Sequence, residues 1–276
     1  MERSYPIGTP GVPWGDADIA EWFATQQPQR SYADDVRDRL EALDDAFEVT
    51  QYGALPIDAD RYPLFAVTLT STTPDAPWVL ITGGVHGYET SGVHGALAVV
   101  EQVAAEYRDR INLVVAPCVS PWGYEVIHRW NPDAVDPNRS FSASGRSTEA
   151  SSLMAFVDGL GITPLVHMDL HETTDTDETE FRPALAARDG VGHEPGEIPD
   201  GFYTVGDSEN PQPDFQAAVI AGVQAVTHIA PADANGQLIG ADVVQPGVIE
   251  YPVRELGLCA GMTAARFTTT TEESPD

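Results

Sequence analysis

The feature that most constrains the fold of this chain is a strand–loop–helix–strand unit between residues 78 and 117. Trp78–Thr82 is a short apolar run that predicts a strand, and Gly83–Thr90 is a glycine-rich loop. Ser91–Arg108, built on Ala, Val and Glu, predicts a helix, and Ile111–Pro117 predicts a second buried strand. A strand, a crossover helix and another strand in this order are typical of parallel neighbours in one sheet.

The same alternation of strands and helices continues along most of the chain. Helices are predicted behind the N-cap Ser31, over Glu149–Val157 and around Phe215–Val226, and strands at Arg61–Thr70, Leu165–Leu170 and Val243–Tyr251. The last residues look like a Thr-rich tail. The pattern predicts a single three-layer α/β/α domain with a twisted, mostly parallel (mixed) sheet. Residues 1–30 are expected to be an irregular lead-in with a short helix around Ile19–Ala24, and residues 31–276 the domain itself.

The charge balance restricts the partners of the chain. Acidic residues number 43 against 14 basic ones, all of them Arg, and the formal net charge is −29. Nucleic acids and anionic membranes need a cationic surface, so neither is an expected partner. The acidity is explained either by a surface suited to a salty cytoplasm or by an acidic rim that attracts cationic substrates. With no signal-like N-terminus and no long apolar run, we expect a cytoplasmic protein.

Polar side chains follow several predicted strands at the ends where ligands bind in open α/β sheets. The strand before residue 83 leads into His86-Gly-Tyr-Glu89, and the strand before residue 171 leads into Asp169-Leu-His171. Two imidazoles and one carboxylate suit a catalytic zinc ion that keeps one position open. His86 could instead cap a helix, and Glu89 could be a first-turn acid favoured by the helix dipole. The sequence therefore predicts a hydrolytic metal site, with these structural roles as the alternative.

The ordered set His86-x-x-Glu89, Arg129, Asn138-Arg139, His171 and Glu250 resembles the zinc carboxypeptidases, metallopeptidase family 14. The ten-residue step from Arg129 to Arg139 is similar to the cytosolic carboxypeptidase branch of that family. The resemblance extends from about Trp78 to Tyr251 and implies a zinc carboxypeptidase-like catalytic domain.

The resemblance also implies a role for each matching residue. His86, Glu89 and His171 would bind one Zn²⁺, and Glu250 would be the general base. Arg129 would polarise the scissile carbonyl, while Asn138 and Arg139 would bind the free carboxylate of the substrate. Tyr203 and His228 are the two candidates for the phenol position that covers the substrate in many relatives.

The implied function is a metallocarboxypeptidase that hydrolyses the C-terminal amide bond of a peptide or peptide-like substrate with a free carboxylate. Two alternatives remain open: an aspartoacylase- or succinylglutamate desuccinylase-like hydrolase of N-acyl amino acids, and an inactive binding protein on the same fold. A second divalent ion could bind the acidic cluster Glu172, Asp175, Asp177, Glu178 and Glu180. The segment Asp233–Gly240, with Asp233 and Asn235, is expected to select the substrate side chain.

Overall fold

An eight-stranded sheet forms the centre of the computed structural model, which describes residues 4–274. Its strands are β1 (Glu48–Ala54), β2 (Pro63–Leu69), β3 (Trp78–Gly83), β4 (Asn112–Ala116), β5 (Val166–Glu172), β6 (Tyr203–Asp207), β9 (Val248–Tyr251) and β10 (Phe267–Glu273). A separate hairpin pairs β7 (Gln237–Leu238) with β8 (Ala241–Asp242). The strand order in the large sheet is β1-β2-β4-β3-β5-β10-β6-β9.

The sheet is mixed, with its parallel part in the middle. Strand β3 pairs in parallel with β4 and β5, β5 with β10, and β6 with β9, whereas β1/β2, β2/β4 and β10/β6 are antiparallel. The predicted mixed, mostly parallel sheet is therefore confirmed. Strand β1 was not predicted.

Helices cover both faces of the sheet. The α-helices are α1 (Asp16–Thr25), α2 (Asp38–Glu41), α3 (Thr90–Ala98), α4 (Ala104–Tyr107), α5 (Pro121–Val126), α6 (Thr148–Gly159), α7 (Arg182–Asp189) and α8 (Pro213–Val223). Short π-helical segments, Ala33–Arg37, Val99–Val103 and Asp177–Phe181, run directly into α2, α4 and α7. None of the helices within residues 4–274 is both long and apolar enough to span a bilayer.

Strand β3 shows how the three layers form. Successive side chains of a strand point to opposite faces, so Leu80 and Ile81 separate. Ile81 packs in the cluster that contains Val93 of α3, while Leu80 packs with Leu153 of α6. One core layer therefore lies under α3 and another under α6, as the predicted α/β/α arrangement requires.

The Thr-rich segment near the C-terminus is a central strand, and its prediction as a tail was wrong. Strand β10 lies between β5 and β6 and pairs with both. Threonine is β-branched and suits strands, and its buried hydroxyls find partners here. The hydroxyl of Thr269, for example, donates to Gln216 Oε1 of α8 at 2.9 Å.

The N-terminal segment contains a helix that includes the predicted range Ile19–Ala24. Helix α1 occupies ten of its residues, and Trp22 of this helix is fully buried against Trp122 and Trp130. Residues 1–30 therefore contribute an aromatic cluster to the packed structure. Cys118 and Cys259 are both buried free thiols.

This aromatic cluster should make the protein sensitive to acid through His128. Burial lowers the pKa of His128 to about 3, with a smaller contribution from Arg129, and its Nδ1 accepts the Trp130 backbone N–H at 3.1 Å. Between a pH of about 6.5, the ordinary pKa of histidine, and about 3, the unfolded chain binds a proton that the folded chain does not. The free energy of unfolding should fall on acidification by up to about 1.4 kcal/mol per pH unit from this residue.

Urea unfolding of the wild type and of His128→Asn at pH 7 and pH 5, at constant salt, measures this contribution. Asparagine can still accept the Trp130 N–H but does not titrate in this range. We expect the wild type to lose up to about 2 kcal/mol more than the variant between the two pH values. Equal losses would show that His128 is not the source of acid sensitivity.

Candidate active site

Three side chains of the predicted zinc site converge where β3 and β5 end. His86 Nδ1 lies 2.6 Å from Glu89 Oε1, and His171 Nδ1 lies 2.6 Å from Glu89 Oε2. Donor atoms of the three residues lie within 4.8 Å of one another, and all three side chains are buried. The structure thus brings together the three metal ligands that the sequence predicted.

The position of this cluster follows from the parallel pairing of β3 and β5, whose carboxyl ends meet at one edge of the sheet. In the loop between β3 and α3, the backbone at Gly87 packs directly against the backbone at Gly123. A Cβ atom at Gly87 would lie 1.9 Å from the carbonyl carbon of Gly123. Glycine is therefore needed here for backbone packing, and the turn returns Glu89 toward His86.

A carboxylate contacts the Nε2 atom of each imidazole, on the side away from Glu89. His86 Nε2 lies 3.1 Å from Asp136 Oδ1, and His171 Nε2 lies 2.7 Å from Asp169 Oδ2. A carboxylate at Nε2 fixes the orientation of a histidine and leaves Nδ1 to bind a metal.

The charge state of Glu89 also fits a metal ligand. Burial alone would raise the pKa of Glu89, but the imidazoles of His86 and His171 hold it well below its usual value. A carboxylate must be ionised to bind a cation. Two imidazoles and one ionised carboxylate, each buried and oriented, are a donor set that suits zinc.

Arg129 lies beside the metal donors. Its Nε donates to Asp136 Oδ2 at 3.1 Å, and its Nη1 is 3.7 Å from Glu89 Oε1. The guanidinium also stacks on the Phe181 ring, with its carbon 4.4 Å from the ring centre. These contacts hold one cation at a fixed place next to Glu89.

Asn138 and Arg139 reach the same site from a short 3₁₀ turn. Asp136 caps this turn, because its side chain accepts the Asn138 backbone N–H at 2.8 Å. Asn138 Oδ1 accepts the Cys259 N–H at 2.7 Å, and Arg139 Nη1 donates to the Asn138 carbonyl at 2.7 Å. Both side chains line a cavity of about 180 Å³ that His86 and Glu89 also line.

Glu272 on β10 lines this cavity and was missed by the sequence analysis. It is the direct cross-strand neighbour of His171 on one side and of Tyr203 on the other. Its Oε2 accepts a hydrogen bond of 2.9 Å from the Thr173 hydroxyl. The pKa of Glu272 is raised to about 7, mainly by burial and also by the charge of Glu89, while His171 opposes the shift.

Glu250, the predicted general base, lies on the opposite face of the sheet. It pairs with Gly206, and a Cβ atom at Gly206 would lie 3.4 Å from Glu250 Cγ and 3.2 Å from Gln216 of α8. Its neighbour Tyr251 faces the cavity instead. Because a strand alternates its faces residue by residue, Glu250 and Tyr251 cannot both reach the site. The structure therefore does not bring Glu250 to the metal donors.

The two candidates for a substrate-covering side chain lie in different places. Tyr203 lines the cavity, where it is buried and its hydroxyl is 2.9 Å from Thr173 Oγ1. His228 lies at the surface, with Nε2 2.9 Å from Asp200 Oδ1, and does not line the cavity. Tyr251, half-buried, is a second phenol that lines the cavity.

The acidic cluster considered for a second ion is divided among separate partners. Glu178 pairs with Arg182 at 2.8 Å and Glu180 accepts from the Tyr5 hydroxyl at 2.6 Å. Within the described part of the chain, His86, Glu89 and His171 form the one group of three or more metal-binding side chains that converges.

The segment Asp233–Gly240 contributes a different residue to the site from those expected. Asp233 and Asn235 lie in an exposed turn, where Asp233 Oδ1 accepts backbone N–H groups. From this segment, Ile239 lines the cavity.

The fold is a mixed sheet with flanking helices, and it carries an intact His-x-x-Glu…His set of side chains that could hold a metal ion. The family model described as zinc carboxypeptidase matches residues 59–154, a segment that contains His86, Glu89, Arg129, Asn138 and Arg139. No curated protein matches the chain.

Solved structures share the fold at low sequence identity. A candidate metallopeptidase from Shewanella amazonensis SB2B is 21% identical, with a TM-score of 0.63 over 87% of this chain and 82% of that one. A metallo-carboxypeptidase from Burkholderia cenocepacia is 16% identical, with a TM-score of 0.55 over 95% of this chain and 60% of that one. A succinylglutamate desuccinylase/aspartoacylase from Rhodobacter sphaeroides is 16% identical, with a TM-score of 0.50 over 84% of this chain and 59% of that one.

Proposed function

We propose that this protein is a zinc-dependent metallocarboxypeptidase of metallopeptidase family 14, which releases the C-terminal residue of a peptide. One observation carries the proposal: Asn138 and Arg139 open into the same cavity as the metal donors and Glu272. The cavity thus combines a place for a free carboxylate with a hydrolytic centre. The spacing of Arg129 and Arg139 and the acidic composition support the cytosolic carboxypeptidase branch and a cytoplasmic location.

In this proposal His86, Glu89 and His171 hold the zinc ion, one per chain. When bound, zinc supplies Lewis acidity, which polarises a carbonyl and makes water a nucleophile near neutral pH. Glu272 takes the proton from the attacking water and passes it to the leaving amine. The Thr173 hydrogen bond fixes the carboxyl of Glu272, and Tyr203 supports Thr173 from behind.

Arg129 serves the carbonyl oxygen of the scissile bond. Asp136 and Phe181 hold its guanidinium in place, so little reorganisation is needed as negative charge develops on that oxygen. Asp136 therefore has two roles, because it also orients His86.

Asn138 and Arg139 bind the terminal carboxylate. A guanidinium can donate two parallel hydrogen bonds to a carboxylate, which orients the substrate as well as attracting it. Arg139 makes no ion pair among the described residues, so its outer donors remain for a ligand. Tyr251, in the same cavity, takes the substrate-covering role for which Tyr203 and His228 were considered.

A second candidate function is hydrolysis of N-acyl amino acids. The fold similarity to the Rhodobacter sphaeroides succinylglutamate desuccinylase/aspartoacylase favours it, and its substrates would also present a carboxylate to Arg139. An inactive binding protein is disfavoured, because the metal donors, an acid–base carboxyl and two arginines surround one cavity.

Assays of the zinc-loaded protein separate these functions. Blocked dipeptides with a free C-terminal carboxylate are compared with N-acetylaspartate and N-succinylglutamate, and released amino acids are quantified. We expect kcat/KM to be at least about a hundredfold higher for the best peptide than for either N-acyl amino acid. The two functions require different acyl groups on the scissile amide, and a pocket for one group discriminates against the other. A preference for the N-acyl amino acids would replace the first proposal with the second, and no turnover of any substrate would favour a binding protein.

A further inference from the structure

Asp169, the carboxylate beside the metal donor His171, lies inside the sheet and does not line the active-site cavity. Its side chain is fully buried, and its Oδ2 lies 2.7 Å from His171 Nε2. A buried carboxylate needs hydrogen-bond partners for both of its oxygens, because an unsatisfied polar atom withdrawn from water costs free energy. The partner of the second oxygen therefore affects how firmly Asp169 can hold the imidazole.

The second oxygen of Asp169 is held by Thr82 of β3. The Thr82 hydroxyl donates to Asp169 Oδ1 at 2.6 Å. Thr82 and Asp169 are direct partners in the parallel pairing of β3 with β5, so their side chains share one face of the sheet. On its other side Thr82 pairs with Ala116 of β4, whose methyl side chain offers no competing acceptor. Because threonine is β-branched and restricted at χ1, β3 presents its hydroxyl to Asp169 in a defined direction.

Two further polar groups surround the Thr82 hydroxyl. Cys259 Sγ donates to Thr82 Oγ1 at 3.5 Å, and His167 Nε2 lies 3.3 Å from the same oxygen. All four side chains of this group are fully buried: Thr82, His167, Asp169 and Cys259. The single hydrogen of the hydroxyl goes to the carboxylate, which is the strongest acceptor among these neighbours.

We propose that Thr82 is a positioning residue of the zinc site, whose hydroxyl fixes the carboxylate of Asp169 and, through it, the imidazole of His171. A carboxylate is planar, so a partner that holds Oδ1 also fixes the direction from which Oδ2 meets His171 Nε2. His171 Nδ1 is then held beside Glu89 Oε2, 2.6 Å away, as a metal donor. The inference rests on the proposed function only in its zinc site, and it is independent of the substrate.

Strand β3 in this arrangement supports every metal donor. Its carboxyl end leads into the loop that carries His86 and Glu89, and its last but one residue, Thr82, acts on His171 through Asp169. Partners outside the metal donors commonly set the affinity of a zinc site, because they fix the orientation of the histidines. Zinc affinity is therefore the quantity that should depend on the Thr82 hydroxyl.

Thr82→Val tests this dependence, because it keeps the shape and the β-branch but removes the hydroxyl. Zinc affinity, measured by competition with a chelator, should fall about tenfold, the lower end of the range for an outer hydrogen-bond partner. Thr82→Ser keeps the hydroxyl and should restore most of the affinity. The matched control is Thr204→Val on β6. It removes a fully buried hydroxyl that has no hydrogen-bond partner among residues 4–274, and should leave zinc affinity unchanged.

A purely structural role of Thr82 would give a different result. Lower folding stability does not weaken zinc binding by a protein that remains folded, and circular dichroism of the metal-free variants checks that they do. If Thr82→Val is not folded, Thr82→Ala takes its place, since it leaves space beside Asp169 where valine adds a methyl group. Zinc affinity equal to that of the wild type in the folded variant overturns the inference.

A double-mutant cycle with Asp169→Ala tests whether Thr82 acts through Asp169. Without the carboxylate, Thr82→Val should change zinc affinity by less than about twofold, because the group that the hydroxyl fixes is gone. Losses that multiply in the double variant would assign Thr82 a separate effect and overturn the inference.

Hydrolysis assays of the same preparations separate this inference from the proposed function. If zinc affinity depends on Thr82 but no peptide or N-acyl amino acid is cleaved, the proposed function fails and the positioning role stands. Zinc-dependent hydrolysis together with an affinity that Thr82→Val leaves intact overturns the positioning role alone. A wild type that binds no zinc overturns both.

Discussion

Replacing Glu272 by Gln should lower kcat/KM of the zinc-loaded protein by about 10²–10⁴-fold while zinc stays bound. The side chain is not one of the three metal donors, and Gln preserves its shape and its acceptor for the Thr173 hydroxyl. What is lost is the ability to accept a proton from the attacking water. Burial holds the pKa of Glu272 at about 7 in the protein without metal, so the group can exchange a proton near neutral pH.

The matched control is Glu250→Gln, which makes the same chemical change on the far face of the sheet. This variant should keep nearly full activity, because Glu250 lies beside Gly206 and not in the cavity. Zinc content and kcat/KM of both variants are measured on the same preparations. An active Glu272→Gln together with an inactive Glu250→Gln would return the general-base role to Glu250.

Removing a metal donor should abolish both zinc binding and activity. His171→Ala deletes one of three buried donors and leaves Glu89 and Asp169 without the imidazole that lies between them. Asp169→Asn should be milder, because it changes only the group that orients His171; a loss of zinc affinity of about 10–100-fold is expected.

Zinc affinity is measured by competition with a chelator of known strength, and activity is followed in parallel. Chelation should inactivate the wild type, and added zinc should restore its activity. His171→Ala should stay inactive at zinc concentrations that fully restore the wild type. Full activity of the chelated wild type, with no bound metal detected, would contradict a metal-dependent mechanism.

The metal donors could be predicted from the sequence because they depend on local signals. His86 and Glu89 follow one apolar strand and His171 ends another, and parallel neighbours carry such residues to one edge of the sheet. The helix after Glu89 and the strand after residue 111 were equally clear, since their apolar periodicity is strong.

The general-base candidate could not be placed in the same way. The threonine run of β10 has no apolar alternation, so it gave no strand signal, and its pairing between β5 and β6 depends on contacts distant in sequence. A strand at the C-terminus would have put Glu272 on the face of His171. For Glu250, the strand was predicted but the face was not, and a single-residue step decides which side chain reaches the cavity.

The contact of Asp136 with His86 could not be predicted from the sequence. Asp136 lies 50 positions after this histidine, and only the folded chain brings the two side chains together.

The most direct test of the account is hydrolysis of one peptide in two forms, with a free C-terminal carboxylate and with a C-terminal amide, by the zinc-loaded protein. Mass spectrometry follows the products. The account predicts zinc-dependent removal of the terminal residue from the free acid, with kcat/KM reduced by at least about a hundredfold for the amide, because Arg139 loses its anionic partner. Equal cleavage of both forms, or cleavage at internal bonds, would contradict a carboxypeptidase.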